Sequence, residues 1–262
     1  MPAQKTFLQA ENKHAVKITH IMDAQFTGVT DEQAIEERLR EITKSKSIKL
    51  AAFRANQEMY GVGVKDVAKQ LSKLIQVAPS INHADDVIIG ALTEHTINSL
   101  AFIAEDIKPA LIDALQEGRK QGEGQRKLAL RVQDIWDSNR SRATNFARTE
   151  GNEIYNQAHL IRYGEAGVEA VEVSAVMDER TTLICQMLNG TIWRIDDPEL
   201  RRPPYHFGCR TRLIAYFGKI PGERDFTDWT NGKNITPSEV DTLTNRITQF
   251  RTKYWDVPAF NP

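Results

Sequence analysis

The feature that most constrains this chain is a change of periodicity at Gly164–Gly167. Before it, apolar residues recur at helical spacing; after it, V-E-A-V-E-V-S-A-V alternates apolar and polar side chains with period 2. A period near 3.6 builds amphipathic helices and a period of 2 builds half-buried strands, so one chain carries both kinds of element in sequence. The reading is α+β: a mainly α-helical N-terminal region followed by a small mixed α+β module with a short antiparallel sheet. The expected division is residues 1–124, a helical region; 125–220, the α+β module; and 221–262, a C-terminal helix and extended arm.

The helical part divides by its own punctuation. Thr30 with Gln33 predicts an N-cap for a helix from Asp31 to about Lys44. The stretch to Gly61 fits a helix only loosely, and Val67, Leu71, Leu74 and Ile75 predict a separate helix over 64–77 that ends before Pro79. A long pattern from Asn82 to Leu115 is expected to kink or divide at Pro109. Gly118, Gly122 and Gly124 mark the best linker candidate. From Gln125 to Tyr163, Val132, Trp136, Ala143, Ala147, Ile154, Ala158 and Ile161 share one face. Beyond the strand, Asn189-Gly190 reads as a hairpin turn, Arg210–Phe217 as a further strand, and Thr236-Pro237 with Glu239 as the start of a last helix.

Composition excludes several classes. The 262 residues are 40% hydrophobic and 26% charged with a net charge of −1, and the mean hydropathy is −0.46, as in an ordinary globular chain. The N-terminus lacks the apolar core of a signal peptide, and no long apolar run suggests a membrane span. Synthesis in a cytoplasm is therefore expected, with its two cysteines free or metal-bound. Charge is uneven: Arg119, Lys120, Arg126, Lys127, Arg131, Arg140, Arg142 and Arg148 face only Glu123, Asp134 and Asp137 in the same stretch. A solvated helix face is the plain reading; a surface for double-stranded DNA or an acidic partner, built on Arg119 to Arg142, is the other.

Both cysteines lie in the turn-rich stretch from Met177 to Arg212, which also holds His206 and a diproline, Pro203-Pro204. Thiolate and imidazole are zinc ligands, so Cys185, His206 and Cys209 form a candidate set with cofactor Zn. Asp178 is the nearest candidate fourth ligand, with His159 behind it. Packed thiols beside a hydrogen-bonding histidine and a disulfide formed outside the cytoplasm remain open beside zinc. A catalytic Cys209–His206 pair lacks a partner to orient the base. Asp178 and Glu179 could serve a metal-dependent hydrolase or nuclease together with His206 and Cys209, but adjacent residues on a strand or turn point apart. Arg180, Arg210 and Arg212 suggest an Asp178–arginine pair that fixes the loop. Glu150, two residues after Arg148, needs a partner if buried, and an arginine or backbone amide of the C-terminal module would suit it. No phosphate-binding loop or hydrolase motif is present. On residue chemistry the chain reads as a binding or assembly protein, not an enzyme.

Four pieces in order carry a family resemblance: A-R-T-E with Asn156-Gln-Ala late in a helix; the glycine exit into a strand; D-E-R-T with Cys185 and L-N-G; and P-P-Y-H-F-G-C-R. Together they resemble the phage Mu F-like minor head proteins, the phage head morphogenesis family. The resemblance implies a minor structural protein of a tailed-phage virion, inside the head near the portal vertex. Its implied partners are the portal protein and the major capsid protein, with roles in head morphogenesis and in DNA packaging or ejection. Asp178, Arg180, Thr181, Cys185, Gly190, Pro204, His206, Cys209 and Arg210 fall on motif positions. Many relatives have a further cysteine where this chain has Thr211. The few residues after Phe217 leave little room for a fused toxin domain.

Overall fold

The computed structural model describes residues 2–74, 80–198, 200–220 and 237–254. It is mainly helical with one small sheet, as the change of periodicity implies. Helices α1 (Pro2–Phe26), α2 (Glu32–Lys44), α3 (Lys46–Leu71), α4 (His83–Lys120) and α5 (Gln125–Glu165) precede strand β1 (Ala170–Ser174). Helix α6 (Leu183–Leu188), strands β2 (Ile192–Arg194) and β3 (Arg212–Tyr216) and helix α7 (Pro237–Tyr254) follow.

Helix α5 is the axis, and α1, α3 and α4 all pack on it. Its stripe of Val132, Trp136, Ala143, Ala147, Ile154 and Ala158 is buried, as the 3.6 period requires. Trp136 stacks on Phe26 of α1 with ring centroids 4.9 Å apart and donates its indole N–H to Asp23 at 2.8 Å. Helix α1, for which the sequence has no clear start signal, contributes Phe7, Ile18, Met22 and Phe26 to the core.

Several expected boundaries shift. The cap of α2 is Asp31, not Thr30: its carboxylate accepts the Ala34 amide at 2.8 Å. The loosely patterned segment and the next helix are one element, α3, which runs through Gly61 and Gly63 and ends at Leu71. Leu74 lies exposed in the turn beyond it, while Ile75 to Pro79 fall outside the described residues. Close packing explains the continuity. A Cβ on Gly63 would stand 2.8 Å from the Ala158 Cβ and 3.0 Å from the Tyr155 carbonyl oxygen, so only glycine lets α3 approach α5 here.

Asn82 opens α4 with a capping box completed by Asp85, and Pro109 neither ends nor divides the helix. A proline inside a helix costs about 3 kcal/mol. Buried Ile103, Ile107, Leu111 and Leu115 on both sides of it offset that loss. By length and composition α4 could cross a membrane, but its apolar stripe is the face packed on α2, α3 and α5. The glycine-rich candidate linker is a tight turn. Gly118 is buried inside α4, and Gln121 to Gly124 reverse the chain so that α5 packs back on α4.

The sheet is antiparallel with order β2-β1-β3, and β1 at its centre. Val171 pairs with Trp193 on one side and Ala215 on the other. Asn189-Gly190 is not a two-residue hairpin loop, because α6 lies between β1 and β2. It forms a turn closed by the Thr191 amide on the Leu188 carbonyl at 3.1 Å, with Gly190 at φ 83°. Asn189 at φ −61°, ψ 126° and a left-handed glycine after it match a type II turn. Helix α7 appears where Pro237 predicts it; Thr236 and the 255–262 arm lie outside the described residues.

Overfilling the α3–α5 contact tests this packing. Gly63→Leu should destabilise the protein by about 1–3 kcal/mol through overpacking, measured as a lowered urea midpoint, whereas Gly90→Ala, which meets no neighbour, should not.

Candidate functional site

A ladder of polar side chains on α5 determines where the cysteine-bearing loop lies. Thr149, Asn152, Asn156 and His159 recur at helical spacing on one face and are all buried. Each engages backbone of residues 208–213. The Gly208 amide donates to Thr149 Oγ1 at 2.8 Å, and Asn152 Nδ2 donates to the Thr211 carbonyl at 2.8 Å. Asn156 accepts the Leu213 amide at 2.8 Å and donates to the Thr211 carbonyl at 3.2 Å. His159 Nδ1–H donates to the Leu213 carbonyl at 2.8 Å. The approach to β3 would otherwise bury unpaired amides and carbonyls.

Below the ladder, Asp66 of α3 accepts from the Tyr155 hydroxyl at 2.5 Å and lies 3.5 Å from both Arg212 and His159 Nε2. Burial pushes His159 down to about 4, against the opposing pull of Asp66. Asp66 thereby ties α3 to β3 through an ion pair almost out of water. His14 of α1 is likewise pushed down by burial, and it contacts Asn56 and the Ala147 carbonyl.

Asp178 takes Arg210 in a two-point pair, with both N–O distances 2.6 Å, and also accepts the Arg180 amide at 3.0 Å. The pair is half-exposed rather than buried. It joins the loop before α6 to the loop before β3, while the helix is reached through the ladder. Hydrogen bonding from Arg210 holds the Asp178 carboxyl well below the usual range. Thr181 completes the turn, its hydroxyl donating to the Val176 carbonyl at 2.7 Å. Arg180 is exposed, 3.6 Å from Asp178. Arg148 belongs elsewhere: it acts electrostatically with Arg210 on buried Glu11 of α1, whose pKa burial nevertheless pushes up to about 7. Glu150 finds its partners in the helical bundle, not in the C-terminal module: His95 at 3.1 Å and the Thr96 hydroxyl at 3.0 Å, both on α4.

Cys185, His206 and Cys209 converge. Their ligand atoms lie within 4.8 Å of one another, and they are the group of this kind among the described residues. Cys185 Sγ is 3.1 Å from His206 Nε2 and 3.7 Å from Cys209 Sγ, so the thiols are free, not bridged. Hydrogen bonds from Cys209 and then His206 pull the Cys185 thiol down to about 4. Burial and the neighbouring sulfur push the Cys209 thiol up. Against its own desolvation, His206 is held above its ordinary value by Cys185. Asp178 stands outside this group with its carboxylate engaged by Arg210, and His159 is committed to β3, so neither is the fourth ligand. Of the residues of the hydrolase alternative, His206 and Cys209 come together, but Asp178 and Glu179 do not join them. Glu179 is exposed, and Cys209 faces the core.

The basic stretch is partly neutralised. Arg119 meets Glu32, Arg140 meets Asp23 and Arg142 meets Asp106, acids distant in sequence, and Arg131 meets Glu123 within the stretch. Lys120, Arg126 and Lys127 are exposed around the turn between α4 and α5. Sequence reasoning missed Asp66, Thr149 and the bonding role of Asn152 and Asn156. Their signal was polar residues at helical spacing inside an apolar stripe.

A cysteine–histidine group on a small α+β module, clasped to the central helix of a bundle, is the class of protein that emerges. The model of the family described as phage Mu protein F like protein matches residues 105–214, which contain α5, β1, β2, the start of β3, the Asp178–Arg210 pair and the cysteine–histidine group. Over this segment the chain is similar to that family, the one its motifs resemble. No curated protein matches the chain, and no solved structure matches it.

Removing one rung should be costly. Asn156→Ala leaves the buried Leu213 amide without its partner, while Asn152 still holds the Thr211 carbonyl, and a loss of about 1–3 kcal/mol is expected from urea unfolding. The buried histidines set a pH dependence. Unfolded His159 takes up a proton near 6.5, but the folded residue resists until about 4. The unfolded chain therefore binds more protons in that window, and stability falls as pH falls through it. His159→Gln should flatten this slope in melts between pH 7 and 4.

Proposed function

We propose that this protein is a minor structural component of a tailed-phage head, carried inside the virion near the portal vertex, and not an enzyme. It would act in head morphogenesis and in DNA packaging or ejection, touching the portal protein and the major capsid protein. The carrying observation is the family match over residues 105–214, within which much of the polar chemistry is engaged in holding the fold together. Asp178, Arg210, Asn152, Asn156 and His159 are engaged with the protein's own backbone and charges.

The surface around the clasp supports the same reading. Met177, Leu183 and Phe207 lie next to Asp178, Thr182 and His206, and they are 53%, 65% and 43% exposed. Apolar side chains on a rigid, polar-stapled loop suit a docking surface. In this reading residues 125–220 present that surface to the portal and residues 1–124 form the capsid-facing helical region. Contact with packaged double-stranded DNA would fall to exposed Lys120, Arg126 and Lys127.

Co-expression with the portal and capsid proteins tests the reading. Wild-type protein should co-sediment with assembled heads and co-purify with the portal. Leu183→Glu combined with Phe207→Glu should weaken portal association at least about tenfold, the equivalent of 1.4 kcal/mol, with an unchanged circular dichroism spectrum. Heads that form normally and never contain the wild-type protein would sink the proposal.

A further inference from the structure

Cys185 and Cys209 stand at a separation that two chemistries treat very differently. Their sulfurs are 3.7 Å apart, far beyond the roughly 2.05 Å of a disulfide. Two sulfurs on a tetrahedral zinc ion, each bonded at about 2.3 Å, lie about 3.8 Å apart. His206 Nε2 is 3.1 Å from Cys185 Sγ, within about half an ångström of the corresponding sulfur–nitrogen edge of about 3.6 Å.

The histidine is also oriented for coordination. His206 Nδ1–H donates to the Phe207 carbonyl at 2.8 Å, which turns Nε2 toward the two sulfurs. The Cys209 amide donates to the His206 carbonyl at 3.2 Å, and Gly208 adopts φ 69°, so the H-F-G-C turn holds two of the donors on one side. The third comes from α6, separate in sequence and fixed by Cys185 packing into the module core. Two thiolates and a neutral imidazole around a divalent cation make an electrically neutral set, the form in which charge is tolerated in a protein interior.

We propose that Cys185, His206 and Cys209 bind one Zn²⁺ ion, with a water molecule in the fourth position on the Thr182 side. Both sulfurs face the core, whereas Thr182 is exposed and its hydroxyl lies 2.8 Å from His206 Nε2, so the open coordination position faces solvent. Binding displaces two protons from the Cys185–His206–Cys209 group to solvent, leaving two thiolates and a neutral imidazole whose Nδ1–H stays on the Phe207 carbonyl. The ion would link α6 directly to the turn before β3, alongside the Asp178–Arg210 pair.

The test uses the full chain, purified reduced, stripped with a chelator and titrated with Co²⁺ and then Zn²⁺. One Co²⁺ per chain is expected, with the intense visible bands of tetrahedral cobalt and a sulfur-to-cobalt charge-transfer band, both lost as Zn²⁺ displaces it. Cys185→Ser and Cys209→Ser should each weaken binding at least ~100-fold, beyond the loss caused by removing a supporting hydrogen bond alone. Thr182→Val should retain affinity and spectrum, which separates ligand loss from a general effect on the loop. X-ray absorption on the wild-type zinc form gives an independent readout, with two sulfur scatterers and one imidazole expected. The proposal is overturned by absence of the charge-transfer band at saturating Co²⁺. Undiminished binding by a folded Cys185→Ser/Cys209→Ser double variant would overturn it equally.

Discussion

Everything distinctive about this fold depends on the polar ladder of Thr149, Asn152, Asn156 and His159. A helix that buries polar side chains on its core face loses hydration, and here the loss is compensated because each rung meets a backbone group of the segment entering β3. The consequence is positional. Gly208 to Leu213 cannot slide along α5 without breaking several bonds at once, so Cys209 and His206 are held at fixed depth. The Asp178–Arg210 pair then needs only to draw the loop before α6 onto a loop already fixed.

The bundle beneath shows the same logic on a larger scale. Asp66 couples α3 to Tyr155 and Arg212, and Asp85 couples α4 to Arg162 and Tyr60. Glu150 couples α5 to His95 and Thr96. Leaving one member of such a buried set unpaired costs several kcal/mol, so these contacts specify which helix faces meet even where their net contribution to stability is modest. Apolar burial supplies the drive, and the ion pairs and amide bonds choose the arrangement. The Gly63 contact adds a steric condition, since α3 must touch α5 closely for Asp66 to reach the module.

Long, strongly periodic elements were legible in the sequence. Helix α5 matched its stripe almost to the residue, β1 followed its alternation, and Pro237 marked α7; β3 forms where expected, but with Arg212 buried beside Leu213 and Phe217 exposed. The misses share a physical cause. Pro109 and Gly61 are local helix breakers overridden by burial on both sides, and Asn189-Gly190 makes its turn at the end of a helix, not between two strands. The arginine-rich stretch read as basic because its acids, Asp23, Glu32 and Asp106, are distant in sequence. Glu150 was expected to meet the C-terminal module, yet the helical turn sends it toward α4 and its neighbour Arg148 toward Glu11 of α1.

By itself the sequence determined the order of element types and the supply of rare chemistry: two cysteines, a histidine near one of them, and motifs matching a phage head protein family. It could do so because periodicity and residue identity are properties of the chain alone. Tertiary structure decided which of those residues meet. Cys185 and His206, separated by a helix and a strand, reach 3.1 Å only because the ladder on α5 holds one loop and the Asp178–Arg210 pair draws in the other. Asp178, adjacent in sequence to the candidate metal site, is removed from it by an arginine that no spacing rule could have named. Convergence of side chains is a matter of packing geometry, and it becomes readable only once the backbone between them has a path.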